Sequence, residues 1–300
     1  MKLLVLGNVT VDEAMDSPVW LSPGHTVVVG APRRDLGGKG ANQALLAKRA
    51  GAETRLIAAI GDDDLAPWII GALAAEGFDT QDLVRLPQPS DRSLIFVGPG
   101  GENAIASVTG CSGALTTQQA REALVGLAGG DVLLLQGNLS VAATEAALRE
   151  GRNLGLVTIF NPSPLQTGFG ALLPLIDLLV VNEGEAAALG GGIGEPDDLT
   201  HRLHEAGAAT VVLTLGARGA FAFGRLGTAQ VAAEPVRVVD TTGAGDTFMG
   251  VLVAALFTHG LALDSAMRAA SRVAALTVSR PGTWSAFPTR GEIAAILASL

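Results

Sequence analysis

One cysteine stands in 300 residues. Cys111 alone cannot build an intramolecular disulfide framework, which fits a reducing compartment, and a lone small apolar residue reads as packing rather than as a nucleophile. Long apolar runs are missing too: no uncharged apolar stretch approaches the roughly eighteen residues that a bilayer span requires. The N-terminus passes from Met1-Lys2 into Leu3-Leu4-Val5-Leu6 and is broken at once by Gly7-Asn8, too short for a signal peptide. The expectation is therefore a soluble, cytoplasmic protein, in which the sequons at Asn8-Val9-Thr10 and Asn138-Leu139-Ser140 have no meaning for glycosylation. Positive charge is scarce: 20 Lys and Arg against 29 Asp and Glu give a net charge of -9. With no basic stripe, a nucleic-acid partner is excluded. Internal repeats and low-complexity tracts are also absent.

What is present is a chain 48% hydrophobic, ample for a large core in one α/β domain with insertions. Lys2 to Leu6 reads as a buried first strand and Arg55 to Ile60 as a second. The turn Gly61-Asp62-Asp63-Asp64 leads into a helix from Ala66 to Glu76 closed by Gly77. Its consecutive aspartates diverge, so they are loop and cap residues rather than a metal cluster. Between the strands, Ser17 to Leu36 reads as irregular chain with a short strand from Thr26 to Val29. Gly37-Gly38-Lys39-Gly40 then opens a helix through Ala50, ended by Gly51. Ser93 to Val97 and Ala104 to Val108 read as a hairpin joined across Gly98 to Asn103. From Leu115 the pattern alternates: helix 117–128, strand 131–135, helix 141–150, strands 155–160 and 177–181. Such alternation implies a parallel sheet covered on both faces, with ligands at the carboxyl ends of its strands. Thr210 to Leu215 is a further strand, Gly216-Ala217-Arg218-Gly219 a turn, and Ser265 to Ser279 a helix leading into Arg280-Pro281-Gly282-Thr283.

The stretch with the most chemistry is Val238-Val239-Asp240-Thr241-Thr242-Gly243-Ala244-Gly245-Asp246, followed by the apolar run from Val251 to Phe257. It reads as the end of a strand, a glycine turn and the start of a long helix. The first N–H groups of that helix and the positive end of its dipole face one point, an anion site. Asp246 stands where a carboxylate either caps the helix or reaches a substrate proton beside the anion. Alone, a G-x-G-D is a turn and a cap; with a base at its edge, the cradle suits phosphoryl transfer to an alcohol.

Four ordered motifs favour the second reading: Gly37-Gly38-Lys39-Gly40-Ala41-Asn42-Gln43, Asn182-Glu183-Gly184-Glu185, Thr214-Leu215-Gly216-Ala217-Arg218-Gly219, and the stretch around Asp246. In this order they resemble the ribokinase-like (PfkB) family of sugar kinases, nearest its ribokinase branch, from Leu3 to about Pro288. The resemblance implies a three-layer α/β/α fold with a mostly parallel central sheet and a small β-lid. The chain would be a single domain, 1–300, with lid segments inserted at about 10–36 and 90–110. It further implies ATP as phosphoryl donor, Asp246 as catalytic base, and the backbone of Gly243, Ala244 and Gly245 against the transferred group. Asp12, Thr10, Gly38, Lys39, Asn42 and Asn138 would hold the sugar. Asn182, Thr214, Gly216, Gly219 and Gly245 would hold the nucleotide. Glu185 of the N-x-x-E motif would position magnesium through water, while Asp240, Thr242 and Gly282 would form a site for potassium. By analogy, a homodimer would form through the lid.

Two positions depart from the ribokinase pattern. Thr10 replaces an asparagine two residues before Asp12, and Asn138 stands where a glutamate holds the sugar. Losing a charged acceptor while keeping an amide changes the favoured hydroxyl pattern. Gly7-Asn8-x-x-x-Asp12 also resembles the opening of the family's nucleoside kinases, so an adenosine-like acceptor competes with a ribose-like one. A sensor that binds without catalysis is a third reading, opposed by the intact Asp246. A dinucleotide oxidoreductase fails because Gly7 opens no G-x-G-x-x-G. His201 and His204 have a spacing compatible with a shared metal but no evident third ligand, and they read as surface residues.

Overall fold

The computed structural model describes residues 1–98 and 103–300; the tip of the hairpin, including the side chain of Asn103, lies outside them. The first part of the chain runs β1 (Leu3–Asn8), β2 (Thr10–Asp16), β3 (Arg33–Gly37), α1 (Lys39–Arg49), β4 (Thr54–Gly61), α2 (Ala66–Ala75) and β5 (Val84–Leu86). There follow β6 (Arg92–Val97), β7 (Asn103–Val108), α3 (Gly110–Gly113), α4 (Thr117–Glu122), β8 (Val132–Gln136), α5 (Val141–Asn153) and β9 (Val157–Asn161). The last part comprises β10 (Leu178–Asn182), α6 (Glu183–Leu189), α7 (Pro196–Glu205), β11 (Thr210–Thr214), β12 (Ala220–Gly224), β13 (Ala229–Val231), α8 (Ala244–Val253), α9 (Leu263–Val278) and α10 (Arg290–Leu297).

Nine strands form the main sheet in the order β13-β12-β11-β10-β9-β8-β1-β4-β5. From β11 to β5 every pairing is parallel, and β12 and β13 are added antiparallel at one edge. The alternation of side chains along β1 shows why helices must cover both faces. Leu3 and Val5 pack with α1, α2, α8, α9 and α10, whereas Leu4 and Leu6 pack with the helices α3 to α7. The chain leaves β1 for β4 on one side and returns to β8 on the other, so the strand order reverses between β1 and β8. In open α/β sheets, ligands bind outside the carboxyl ends at this place.

A second sheet, ordered β3-β2-β6-β7, stands over that edge as the lid. The lid corrects one expectation: Thr26–Val29 is not a strand, and Val28 is 86% exposed. Arg33–Gly37 pairs with β2 instead. Its charged residues hide it from apolar patterning, but both of its arginines have a cross-strand partner: Arg33 pairs with Asp16, and Arg34 with Glu13 at 2.8 Å. Glu13 is buried and also pairs with Arg92 of β6, tying three lid strands through one carboxylate. The two guanidiniums hold its carboxyl below the usual range, Arg34 most strongly.

Three boundaries also shift. The segment before Asp240 is extended chain rather than strand, held by the Val239 N–H donating to the Val278 carbonyl at 2.7 Å. Helix α4 stops at Glu122, where tight turns lead to Gly126 in the left-handed region. The helix after Asp246 is α-helical only to Val253 and continues as a π turn over Ala254–Thr258. Among the described residues, no helix is long and apolar enough to cross a membrane.

Candidate active site

Asp246 lies in the first turn of α8, and its side chain is buried. The turn before it is set by Gly243, whose φ of 75° is open to glycine alone; an added Cβ there would also meet the Phe287 ring at 2.5 Å. The Ala244 N–H is drawn to the Thr241 carbonyl at 3.3 Å. The N–H groups of Gly245 and Asp246 have no hydrogen-bond partner among the described residues, and Gly245 is exposed. These open donors stand at the positive end of the helix dipole. Of the donors expected from the glycine turn, those of Gly245 and Asp246 are open, while Ala244's is diverted into the turn itself.

Helix α1 brings the partners of the carboxylate. Asn42 Nδ2 donates to Asp246 Oδ2 at 2.8 Å and Gln43 Nε2 donates to Oδ1 at 2.9 Å, while Lys39 Nζ lies 3.9 Å from Oδ1. The approach of α1 to α8 depends on Gly250, one helical turn beyond Asp246. A Cβ at Gly250 would sit 2.7 Å from the Gln43 carbonyl and 2.8 Å from Leu46 Cβ.

The lid supplies the opposite wall. Thr10 Oγ1 donates to Asp12 Oδ1 at 2.8 Å, and Gly38 lies so close above the Thr10 backbone that a Cβ would reach its nitrogen at 2.9 Å. The segment Gly282 to Ser285 reaches three parts of the site. Gly282 N donates to Asp240 Oδ2 at 3.2 Å, Trp284 Nε1 to Asn42 Oδ1 at 2.8 Å, and Ser285 Oγ to Asp35 Oδ2 at 3.2 Å. Thr283 Oγ1 is 3.5 Å from Asp12 Oδ2. Asn138, just past β8, keeps a buried Oδ1 with no hydrogen-bond partner among the described residues.

A second group lies along the same sheet edge. Asn182 and Thr214 are register partners at the ends of β10 and β11, and Gly216 and Gly219 form the turn that follows. Asn182 Oδ1 accepts from Glu185 N at 2.8 Å, and Glu185 Oε2 from Asn182 N at 3.0 Å, a capping box that fixes both side chains. Asp240 Oδ1 accepts from Thr242 N at 2.9 Å, so Asp240, Thr242 and Gly282 are brought together by one carboxylate. His201 stacks on Phe223 with ring centroids 3.7 Å apart. No cluster of three metal-ligating side chains occurs among the described residues. Sequence reasoning assigned no role to Gln43, Gln136 or Asn161. For Gln136 and Asn161 the signal available was an amide ending each of two consecutive strands, β8 and β9, which has no periodicity to mark it.

A buried carboxylate beside open helix N–H groups, at the strand-order reversal of a parallel sheet and beneath a lid, defines a phosphotransferase acting on an alcohol. Residues 2–290 match the pfkB family carbohydrate kinases. The ribokinase of Haemophilus influenzae is 33% identical over 296 residues, covering 97% of this chain and 96% of that protein. Among solved structures, a ribokinase from Thermotoga maritima superposes with a TM-score of 0.90 at 28% identity, covering 99% of each chain. A ribokinase from Cryptococcus neoformans in complex with ADP gives 0.80 at 29% identity, covering 98% of this chain and 99% of that one. The chain belongs to the pfkB family and is an ATP-dependent sugar kinase.

Proposed function

We propose that this kinase phosphorylates a primary hydroxyl of a ribose-like pentose or a related small carbohydrate, with Asp246 as the base. The observation that supports this best is the placement of the buried Asp246 carboxylate beside the open Gly245 N–H, within reach of lid residues that offer hydroxyl-binding groups. As the acceptor oxygen bonds to the γ-phosphorus, the bond from that phosphorus to the β–γ bridging oxygen breaks. ADP leaves with that electron pair, and the hydroxyl proton passes to a carboxylate oxygen of Asp246. A weak base suffices because the transition state is loose and proton transfer late. The open N–H groups of Gly245 and Asp246, which follow the Gly243-Ala244 turn, face the charge growing on the transferred group.

Asp12, Thr10, Gly38, Lys39, Asn42 and Asn138 form the acceptor side, and Asn182, Thr214, Gly216 and Gly219 the nucleotide side. One carboxylate oxygen of Glu185 is left outside the capping box, which suits a hydrated magnesium ion held through water. Bound there, magnesium would neutralise phosphate charge. The hard oxygens around Asp240, Thr242 and Gly282 suit potassium. A nucleoside is the second reading, favoured by the Thr10 hydroxyl being spent on Asp12 and by a neutral amide at Asn138.

ATP consumption with magnesium and potassium, measured against pentoses, hexoses and nucleosides, tests both readings. Asp246→Asn should lower turnover with the true acceptor by about 10² to 10⁴ while ADP still binds. Equal turnover in the variant would remove Asp246 from the mechanism. ATP binding with no acceptor phosphorylated would favour a binding-only protein.

A further inference from the structure

Behind the two amides that touch Asp246 stands a second layer of amides, buried and directional. Gln43 Nε2 donates to Asp246 Oδ1 at 2.9 Å and to Asn161 Oδ1 at 3.2 Å. Gln43 Oε1 accepts from Gln136 Nε2 at 2.9 Å, and Asn161 Nδ2 donates to the Val180 carbonyl at 2.9 Å. Gln43 and Gln136 are fully buried. Both ends of the chain of bonds accept, the Val180 carbonyl at one and the Asp246 carboxylate at the other. Asn161 must therefore turn its NH₂ to Val180 and its oxygen to Gln43, and Gln43 must turn its NH₂ to Asp246. Gln136 takes up the remaining Gln43 oxygen, so no member is free to flip.

Well-packed apolar side chains would serve stability as well as such a network. Among the described residues Gln136 Oε1 has no hydrogen-bond partner, and it fits into the notch at Gly7, where a Cβ would lie 2.1 Å from it. An orphaned acceptor in the core works against stability and calls for a role outside it. On the other flank the Trp284 indole occupies Asn42 Oδ1 and leaves the Asn42 amide to Asp246 Oδ2. Each carboxylate oxygen thus meets one amide whose orientation is fixed by a further residue.

We propose that Gln43 is a positioning residue for phosphoryl transfer, aimed by Gln136 and Asn161, which sets the plane of the Asp246 carboxylate toward the acceptor hydroxyl. The inference rests on Asp246 being the base. Steady-state kinetics of Gln43→Met, Gln136→Met and the double variant test it, with Asp246→Asn alongside and ADP affinity as the check on folding. Gln43→Met should lower kcat by about 10- to 100-fold, the worth of a hydrogen bond to a charged group, with KM for ATP and acceptor changed less than about threefold. Gln136→Met touches neither Asp246 nor any residue on the acceptor side and should lower kcat by about 3- to 10-fold. The double variant should be no worse than Gln43→Met, because Gln136 acts only through Gln43. Should Gln43→Met not fold, Gln136→Met alone decides. Unchanged kcat in the glutamine variants, a rise confined to KM, or additive losses would overturn the inference while an inactive Asp246→Asn left the proposed function standing. A fully active Asp246→Asn would overturn both.

Discussion

Burial pushes the Asp12 carboxyl above its ordinary range, against hydrogen bonds from Thr10 and Ser93 that act the other way. Asp35, its register partner on β3, adds a like charge and raises it further. An ionised carboxylate at this place costs the folded protein stability. The folded state binds a proton more readily than the unfolded one, so stability falls as pH rises from the ordinary value of 3.8 through the raised one. Asp12→Asn should therefore raise the melting temperature at pH 7, with the gain vanishing below about pH 3. If Asp12 accepts from an acceptor hydroxyl, the same variant should raise the acceptor KM by about tenfold or more. Thermal unfolding across pH and kinetics on one preparation check both halves. A variant that was no more stable would place the cost of burial elsewhere.

Helices α1 and α8 meet at Gly250, and what the contact fixes is the distance from Asn42 and Gln43 to Asp246. Gly250→Ala would drive a methyl into backbone and should cost about 1–3 kcal/mol, read as a lowered urea midpoint, with turnover falling more than either KM. Unchanged turnover would show that the helix spacing has slack. Much of this arrangement was legible in the sequence, because glycine breaks and apolar runs mark the starts of α1 and α8 and most of the parallel strands. The strand β3 was not, since Arg33 and Arg34 owe their pairing to Asp16 and Glu13, close in space but 17 and 21 residues away in sequence and so hidden from local patterning. Asp240, Thr242 and Gly282 were grouped by motif order and are joined by one carboxylate. Gln136 and Asn161 were missed because a single amide closing an apolar strand resembles any strand end.

The molecule as a whole is a three-layer body carrying a thin four-stranded lid edged by β3 and β7. Strand β7 has Ile105 57% and Val108 48% exposed, and among the described residues its outer backbone edge pairs with no strand. An edge of this kind invites another strand, and light scattering should show concentration-dependent self-association that Ile105→Lys weakens. A monomer at every concentration would leave the edge to be covered in some other way. The segment Gly282 to Ser285 has a different reach, since it bonds to Asp240, Asn42 and Asp35 in successive steps. The Asp240 loop, the Asn42 partner of Asp246 and the lid are thus wired to four consecutive residues. Anyone grafting a relative's lid onto this body to change its sugar would have to transplant that strap as well, because new recognition placed on the old strap would inherit its hold on Asn42.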